Sequence, residues 1–445
     1  MKNKEKSIHF GSDGDYRDSW RVFRIMAEFV EGYQFLAEHD REVTVFGSAR
    51  FKEGDQWYDD ARELGAMLGV GGYTTITGGG PGIMEAANRG AQQKGGDSLG
   101  LNITLPMEQT LNKYTTRSLS FHYFFTRKVM LGTPAQAFVF YPGGFGTLDE
   151  FWEIIDLMAD EFLHEAPIIL VGSDYWRPVI DWISKNPGHK LQENEQRYIM
   201  RTHIVDSAQE AFKIISQSDP VENICRLSPD NFSCGDKVNW RVFKIMAELV
   251  EGFDFLTGIS KDVTVLGTRT TGQSDPNYKK AEQFGEAIGK AGFSVVTGGY
   301  DGVAEAASKG AHSVGAKTYG FPLKNGEGKS ASDFHTRELS FEFPFVRKFM
   351  VTAPSKGFVM FPGGLGTLHQ TMEVLTLIQT GKMPRVPVVL IGRMFWDRYF
   401  GLIVDLLAEK YKTINIEDVD HFTVTDDPKE AALVIEHFYE NNHKH

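Results

Sequence analysis

The sequence contains few of the residues on which several large classes of protein depend. It has only two cysteines in 445 residues, Cys225 and Cys234, which argues against a disulfide framework or a cysteine-based metal site and predicts free thiols. No apolar run approaches the roughly 18 residues of a membrane span, and the polar N-terminus lacks the apolar core of a secretory signal. These absences predict a cytoplasmic protein without a membrane partner.

The sequence also contains fewer basic than acidic residues. The 47 Lys and Arg residues are outnumbered by 59 Asp and Glu residues, which gives a formal net charge of −12. Proteins that bind nucleic acids need a basic surface to displace counterions from phosphates, so we predict no nucleic-acid partner. A small anionic ligand stays compatible with this charge, because a local pocket can hold it against an unfavourable overall field.

The chain is an internal duplication with a constant offset of 220 residues. The segment WRVFRIMAEFVEG at 20–32 returns as WRVFKIMAELVEG at 240–252, with 11 of 13 positions identical. Other motifs recur at the same offset, which is far too long for a solenoid repeat. A polar stretch rich in turn-forming residues lies at 219–235. We therefore predict two domains, 1–222 and 223–445.

Short apolar runs alternate with amphipathic helical patterns in each copy. In the first copy these runs are VTVFG at 43–47, YTTIT at 73–77, SLGLNIT at 98–104, AFVFY at 137–141 and PIILVG at 167–172. Strands that alternate with helices are typical of a mostly parallel sheet covered on both faces. The sequence therefore predicts an α/β fold, built as two tandem Rossmann-like doubly wound domains.

The first of two glycine-rich turns is TGGGPG at 77–82, after the second predicted strand. Gly79 and Gly80 permit close approach of a ligand to the backbone, and the helix N-terminus that follows favours an anion. Tight packing of the helix on the strand is the alternative explanation of these glycines. Glu85, just inside the helix, has two open roles: binding a ribose or stabilising the helix N-terminus.

The second turn, PGGFGT at 142–147, is the more informative of the two. Gly143, Gly144 and Gly146 predict a nest of backbone amides, and Thr147 adds a hydroxyl where the next helix begins. Phosphate is the natural guest of such a nest. The GK[ST] ending of a P-loop is missing, and VFGSAR replaces the G-x-G-x-x-G fingerprint at the first strand. A nicotinamide dehydrogenase is therefore disfavoured.

Glu150 follows the second turn and has two interpretations. Thr147-x-x-Glu150 matches a capping box, in which the glutamate side chain reaches back to the amide of the capping residue. The corresponding Gln370 serves a capping box equally well, so capping does not explain why the first copy carries a carboxylate. Glu153 lies three residues further along the same helix face and is retained as Glu373.

The segment PGGFGTLDE resembles the PGGxGTxxE motif of the LOG (Lonely Guy) family of cytokinin-activating phosphoribohydrolases, also called possible lysine decarboxylases. The pair Arg127–Lys128 and the segment GGGPGIMEAANRGA at 78–91 match the same family in the same order. The resemblance covers nearly all of the first copy and, more loosely, the second. It implies hydrolysis of the N-glycosidic bond of a nucleoside 5′-monophosphate, either AMP or an N6-modified adenine ribotide, without a cofactor.

The resemblance assigns catalysis to Glu150 and Arg127. A carboxylate beside the ribose can stabilise the oxocarbenium character that builds up as the C–N bond breaks, and can orient or deprotonate the attacking water. Arg127 has the alternative of being a solvated surface residue paired with an acid. No lysine stands in a convincing position for a pyridoxal phosphate Schiff base, and no metal site is predicted. The residues predicted to bind substrate are Gly143, Gly144, Gly146, Thr147, Gly79, Gly80, Glu85, Lys128, Glu153 and Ser48.

The second copy departs from the motif where the chemistry resides, because Gly80 becomes Tyr300 and Glu150 becomes Gln370. A neutral amide neither stabilises a cation as a carboxylate does nor acts as a base, so we predict little or no turnover there. The resemblance implies homodimers with active sites near the subunit contact, so together with the duplication it predicts a pseudo-dimer of the two copies within the chain, with further homo-oligomers left open. The alternative function is non-catalytic: a nucleotide sensor, or a carrier resembling the molybdenum cofactor carriers, which share this fold.

Overall fold

The computed structural model contains two parallel β-sheets flanked by helices, which confirms the predicted α/β class. Cys225, Cys234, the predicted domain boundary and the N-terminal segment considered as a signal lie outside the described residues. The structure describes residues 16–105, 111–185, 191–219, 235–324 and 332–442.

The first sheet has seven strands in the order β4-β3-β2-β1-β5-β6-β7 within the described residues, all parallel. Val43 of the first strand is paired with Thr75, and Thr44 with Phe138. The strands are β1 (Glu42–Phe46), β2 (Thr74–Thr77), β3 (Ser98–Ile103), β4 (Arg117–Phe121), β5 (Ala135–Phe140), β6 (Ile168–Val171) and β7 (His203–Val205). The helices are α1 (Tyr16–Leu36), α2 (Gln56–Val70), α3 (Ile83–Gln93), α4 (Phe124–Gly132), α5 (Phe145–Ala159), α6 (Ser173–Lys185), α7 (Glu193–Met200) and α8 (Ala208–Ile215).

The second sheet repeats this arrangement in the order β11-β10-β9-β8-β12-β13-β14. Its strands are β8 (Asp262–Leu266), β9 (Ser294–Thr297), β10 (Thr318–Gly320), β11 (Arg337–Glu338), β12 (Phe358–Met360), β13 (Val388–Ile391) and β14 (Thr423–Thr425). The helices are α9 (Gly235–Leu256), α10 (Pro276–Lys290), α11 (Val303–Ser313), α12 (Pro344–Thr352), α13 (Leu365–Gln379), α14 (Arg393–Ile403) and α15 (Pro428–Asn442). A short π-helical segment, Val404–Lys410, continues from α14.

The central strands read as nearly continuous apolar runs because helices cover both faces of the sheet. Every residue of β1 is buried, and Val43 and Val45 belong to a core cluster with Leu64 of α2 and Ile83 of α3. The five apolar runs predicted as strands in the first copy all form strands. Sequence patterns missed the edge strands β4 and β7, because edge strands carry polar residues and leave the apolar pattern incomplete.

The strand order reverses between β1 and β5, since the chain builds outward from β1 on one side and from β5 on the other. In an open parallel sheet, such a reversal leaves a crevice outside the carboxyl ends of the two strands, where ligands bind. The loop after β1 begins at Gly47, and the loop after β5 is the second glycine turn. The fold therefore places the predicted phosphate-binding turn at the reversal point.

Two compact units contain one sheet each. The unit of the first sheet comprises Phe23–Lys244 and, in addition, Gly401–Ile416 from the region that the sequence repeat assigns to the second copy. The unit of the second sheet contains the described residues up to Val22, Ile245–Phe400 and the described residues from Glu417 onward. In the described part of the chain, no helix is both long and apolar enough to cross a membrane.

Candidate active site

Ser48 joins the two glycine turns at the carboxyl ends of β1, β2 and β5. Its backbone amide donates to the carbonyl oxygen of Pro142 at 3.1 Å, and its own carbonyl oxygen accepts from the amide of Ile83 at 3.0 Å. Ser48 is buried, and its hydroxyl accepts from the amide of Arg50 at 3.1 Å. The predicted substrate-binding residue therefore sits between both turns, where its backbone sets their spacing.

The first glycine turn is held by backbone conformations that favour glycine. Gly79 and Gly82 have φ values of +71° and +70°, and a Cβ on Gly82 would lie 2.3 Å from the carbonyl oxygen of Ser48. The carbonyl oxygen of Gly80 accepts from the side-chain amide of Asn112 at 3.0 Å. Sequence reasoning did not single out Asn112, because it lies 32 residues away in an irregular segment.

The second glycine turn forms the start of α5, which begins at Phe145 with Gly144 as its capping residue. No side chain caps this helix, so the capping-box interpretation of Thr147 and Glu150 is wrong: Thr147 already lies inside the first turn. The first amides of an α-helix have no partner within the helix and are available to an anion. A Cβ on Gly143 would lie 2.0 Å from the Thr147 hydroxyl oxygen, so the loop packs directly on that side chain.

Glu150 is buried in the second turn of α5, with 7% of its surface exposed. Burial raises the pKa of its carboxyl to about 8, and the negative charges of Glu153 and Asp149 act in the same direction. Lys128 and Arg127 oppose that rise in the pKa without cancelling it. A carboxyl whose pKa is raised by burial is common among acid–base catalysts.

Lys128 is part of a buried ion cluster whose charges act on Glu150. Its ammonium nitrogen lies 2.8 Å from a carboxylate oxygen of Asp149 and 3.0 Å from one of Glu153. All three side chains are less than a tenth exposed. The structure thus shows Lys128 and Glu153, both predicted to bind substrate, paired with one another within the protein. Asp149 completes the cluster and was not among the predicted site residues.

Replacing Lys128 with methionine is expected to lower the free energy of unfolding of the unit of the first sheet by about 3–5 kcal/mol, because the change leaves two buried carboxylates without their counter-ion. Denaturant-induced unfolding measures this change. The matched control is Lys348→Met, because the ammonium of Lys348 lies 2.9 Å from Nδ1 of His369, which replaces Asp149. The control variant is expected to lose less stability, and equal losses would contradict the account of this cluster.

Arg127 extends from α4 to the crevice and is half-buried. Its Nε donates to the carbonyl oxygen of Leu101 at 2.8 Å, and desolvation lowers the pKa of its guanidinium while Glu150 and Asp149 oppose that effect. A Cβ on Gly78 would lie 2.4 Å from Nη2 of Arg127, so the guanidinium packs against the first glycine turn. Arg127 is therefore not the solvated surface residue of the alternative interpretation, because the loop and a backbone carbonyl hold it.

Glu85 lies on a different part of the crevice from this cluster. One of its carboxylate oxygens accepts from the Tyr58 hydroxyl at 3.1 Å. Glu85 and Tyr58 line an open cavity of about 510 Å³ together with Arg50, Lys52 and other residues of the loop after β1. Within the described residues, no group of three or more His, Cys, Asp or Glu is arranged to hold a metal ion.

The second copy keeps the backbone of the site and changes its chemistry. Gln370 is 8% exposed, and its Nε2 has no hydrogen-bond partner among the described residues. The ring of Tyr300 lies 5.3 Å from the guanidinium carbon of Arg347, and its hydroxyl accepts from the amide of Leu323 at 2.5 Å. The tyrosine thus covers one face of the arginine that corresponds to Arg127. The helix α13 also begins at a glycine cap, Gly364, so a capping box is absent at Gln370 too.

The parallel order of the strands and the helices that flank them define a Rossmann-like protein, with both glycine turns and a buried carboxyl at the carboxyl ends of its strands. The chain belongs to the family described as possible lysine decarboxylase, whose model matches residues 84–215 and 304–435. The two matches cover more than half of the chain and place one family domain in each copy. The resemblance to the LOG family and the tandem duplication are confirmed.

Several named relatives are similar over less than half of this chain. The chain is 26% identical over 200 residues to the pyrimidine/purine nucleotide 5′-monophosphate nucleosidase of Escherichia coli strain K12, and the match covers 42% of each protein. It is 25% identical over 207 residues to a cytokinin riboside 5′-monophosphate phosphoribohydrolase of Arabidopsis thaliana, with 46% of this chain and 86% of that protein covered. A protein of the same description from Rhodococcoides fascians is 26% identical over 147 residues, with 32% and 74% covered. The chain thus spans less than half the length of its Escherichia coli relative.

Two solved structures are similar at lower identity. The molybdenum cofactor binding protein of Rippkaea orientalis is 17% identical with a TM-score of 0.32, and the match covers 39% of this chain and 94% of that one. The Moco carrier protein of Chlamydomonas reinhardtii is 20% identical with a TM-score of 0.28, with 40% and 95% covered. Neither similarity assigns a function to this chain.

Proposed function

We propose that the first copy hydrolyses the N-glycosidic bond of a nucleoside 5′-monophosphate and releases the free base and ribose 5-phosphate. The observation that carries this proposal is the buried carboxyl of Glu150, with a pKa near 8, in the helix whose N-terminus is the glycine turn. The names of the relatives from Escherichia coli and Arabidopsis thaliana describe reactions on nucleoside monophosphates and support the same chemistry.

The phosphate of the substrate binds at the second glycine turn in this proposal. The free amides at the start of α5 and the hydroxyl of Thr147 bind this phosphate, and the positive end of the helix dipole stabilises the negative charge of the phosphate. Arg127, on α4, supplies a positive charge beside the first glycine turn. Binding energy from the phosphate, which does not react, then positions the ribose against Glu150.

The reaction breaks the bond between C1′ of the ribose and the nitrogen of the base. As this bond lengthens, positive charge builds up on the sugar, and the ionised carboxylate of Glu150 stabilises it. The electron pair of the broken bond leaves with the base nitrogen, which takes up a proton from solvent. Water adds to C1′, and one of its protons passes to Glu150 and from there to solvent. The water oxygen ends on C1′, which makes the products ribose 5-phosphate and free base.

The base in this proposal is adenine or an N6-modified adenine, and the second copy turns over little or no substrate. The carboxylate that the mechanism requires is replaced there by the amide of Gln370, and Tyr300 covers the arginine. Schiff-base decarboxylation finds no support in the described part of the site, because Lys128 is a buried ammonium paired with two carboxylates.

A purely binding role is the rival function. A phosphate carrier would use the glycine turn, but it would not need the buried carboxyl of Glu150 together with the guanidinium of Arg127. The decisive experiment incubates the full chain with AMP, isopentenyladenosine monophosphate and other nucleoside monophosphates and separates the products by chromatography. Release of base together with ribose 5-phosphate is expected. Intact nucleotide in every reaction would refute hydrolysis and favour a carrier or sensor.

The pH dependence of kcat/KM is expected to follow the ionisation of Glu150. Because the carboxylate is the active form, the rate rises with pH and levels off above a pKa of about 8. The ionised fraction increases about 50-fold between pH 6 and pH 8 for such a group. Initial rates of base release across pH 5.5–9.5 measure this profile. A rate that falls above pH 8 would instead identify Glu150 as a proton donor.

A further inference from the structure

The carbonyl oxygen of Gly143 accepts two hydroxyl hydrogen bonds. Tyr175, from α6, donates to it at 2.9 Å, and Thr413 donates at 2.8 Å. Thr413 is 270 residues away in sequence, in the Gly401–Ile416 segment that belongs to the same compact unit as the first sheet. Both hydrogen bonds are buried. The peptide plane that begins the phosphate-binding turn is therefore fixed from outside the turn.

The orientation of this peptide decides where the next amide points. In a trans peptide the carbonyl of one residue and the N–H of the following residue point in opposite directions. The bond between Gly143 and Gly144 is trans. With the Gly143 carbonyl directed at Tyr175 and Thr413, the N–H of Gly144 points away from them. That N–H belongs to the capping residue of α5 and adds to the free amides at the helix N-terminus.

The segment that carries Thr413 is itself firmly attached to the first unit. Lys412 has a left-handed backbone conformation, with φ of +53°, which turns the chain before Thr413. The guanidinium of Arg50 donates to the Asn415 side-chain oxygen at 2.9 Å. The ring of Tyr411 packs edge-on against Tyr175, with centroids 5.1 Å apart. These contacts join the segment to the loop after β1 and to α6, the two neighbours of the glycine turn.

The segment around Thr413 packs closely on the glycine turn. A Cβ on Gly144 would lie 3.1 Å from both the Ile414 side chain and the carbonyl oxygen of Thr413. Thr413 is 6% exposed, and its amide is bonded to the carbonyl oxygen of Leu407 at 2.7 Å. The threonine hydroxyl also lies 3.3 Å from the carbonyl oxygen of Leu407, but its contact with the Gly143 carbonyl oxygen is the shorter one at 2.8 Å.

We propose that Thr413 is a positioning residue for phosphate binding: its hydroxyl holds the Gly143 peptide in the orientation that directs the Gly144 amide at the phosphate of the substrate. This inference rests on the proposed function and deepens it. In this proposal Thr413, a residue of the second sequence copy, contributes to the phosphate-binding site of the first copy. The C-terminal region is then required for phosphate recognition even though its own carboxylate has been lost.

The test is the affinity of the full chain for inorganic phosphate and for ribose 5-phosphate, measured by isothermal titration calorimetry. Thr413→Val removes the hydroxyl and keeps the shape, and it is expected to weaken both affinities by about three- to tenfold, the value of one hydrogen bond. Thr413→Ser is expected to restore them. In turnover assays Thr413→Val is expected to raise KM for the nucleoside monophosphate and to leave kcat nearly unchanged, because the substrate and the transition state lose the same binding energy.

Two further variants separate positioning from loss of packing. Thr371→Val removes a buried threonine hydroxyl that donates to the Thr367 carbonyl at 2.7 Å in α13, and it is expected to leave phosphate affinity unchanged. Tyr175→Phe removes the other hydroxyl that donates to the Gly143 carbonyl oxygen and leaves the Gly401–Ile416 segment unchanged. It is expected to weaken phosphate binding as Thr413→Val does. It therefore tests the proposal even if the valine variant does not fold.

The proposal is overturned if a folded Thr413→Val variant binds phosphate like the unmodified chain, if Tyr175→Phe does so when the valine variant does not fold, or if serine fails to restore binding. It is also overturned if the unmodified chain binds neither phosphate nor ribose 5-phosphate. A chain that binds phosphate in a Thr413-dependent way but releases no base supports the positioning role and refutes hydrolysis. Failure of the positioning role and failure of the proposed hydrolysis therefore give different results.

Discussion

Replacing Glu150 with glutamine is expected to lower kcat for base release by about 10³-fold, because the change removes both the negative charge near the ribose and the proton acceptor. Glutamine has nearly the same shape and occurs at the equivalent position, Gln370, so the helix tolerates it. The measurement is the steady-state rate of adenine release from AMP at pH 8.5, where Glu150 is ionised in the unmodified chain.

The matched control is Gln370→Ala, which truncates the equivalent side chain in the second copy. It is expected to leave turnover nearly unchanged. Equal losses from the two substitutions would show that both copies contribute to catalysis. A Glu150→Gln variant with normal turnover would remove the carboxylate from the mechanism altogether.

The same variant reports on folding through its pH dependence. The folded state holds the pKa of Glu150 near 8, above the ordinary value of 4.5, so the fold favours the protonated carboxyl. The contribution of Glu150 to the free energy of unfolding is fully present below pH 4.5, where the carboxyl is protonated in both states. This contribution is lost as the pH rises through 8. Glu150→Gln, which is neutral throughout, is therefore expected to melt at a higher temperature than the unmodified chain above pH 8, and this gain is expected to shrink towards pH 4.5.

Replacing Gly78 with alanine is expected to lower kcat/KM by about 10²-fold by displacing Arg127, since misplacing a catalytic group by about 1 Å has effects of this size. The added Cβ would lie 2.4 Å from Nη2 of Arg127 and 2.9 Å from the sulfur of Met84. The guanidinium must move, although its Nε is held by the Leu101 carbonyl. Rates of base release measure the loss.

The duplication supplies an unusually close control for this substitution. A Cβ on Gly298 would lie 2.4 Å from Nη2 of Arg347, the same distance as in the first copy. Gly298→Ala therefore imposes a comparable steric clash and a comparable loss of stability in the second copy, while turnover is expected to stay within about twofold of the unmodified chain. If Gly298→Ala lowers activity as much as Gly78→Ala, the effect belongs to general destabilisation and not to Arg127.

Some of the candidate site was accessible from local sequence alone. The glycine turns were placed correctly because Gly79 and Gly82 adopt left-handed backbone conformations that glycine favours, and such positions leave a visible signature. The start of α5 was misplaced because Thr147-x-x-Glu150 matches a capping box equally well in isolation. In the folded chain a glycine, Gly144, already caps the helix, so the helix begins before the threonine.

Other features of the site have no local signature. Lys128 was expected to face a ligand, and its pairing with Asp149 and Glu153 depends on α4 and α5 packing side by side. The raised pKa of Glu150 depends on how completely neighbouring elements exclude water from it, which periodicity does not report.

The sequence by itself determined the duplication, the α/β class, the central strands and the loss of the carboxylate at Gln370, because these depend on residue type and on short-range spacing. The tertiary structure decided which charges neutralise one another, how far Glu150 is desolvated, and that Thr413 reaches Gly143 across 270 residues of chain. The physical reason is that backbone conformation and apolar periodicity are local properties, whereas desolvation and hydrogen bonding between distant segments exist only once the chain has folded.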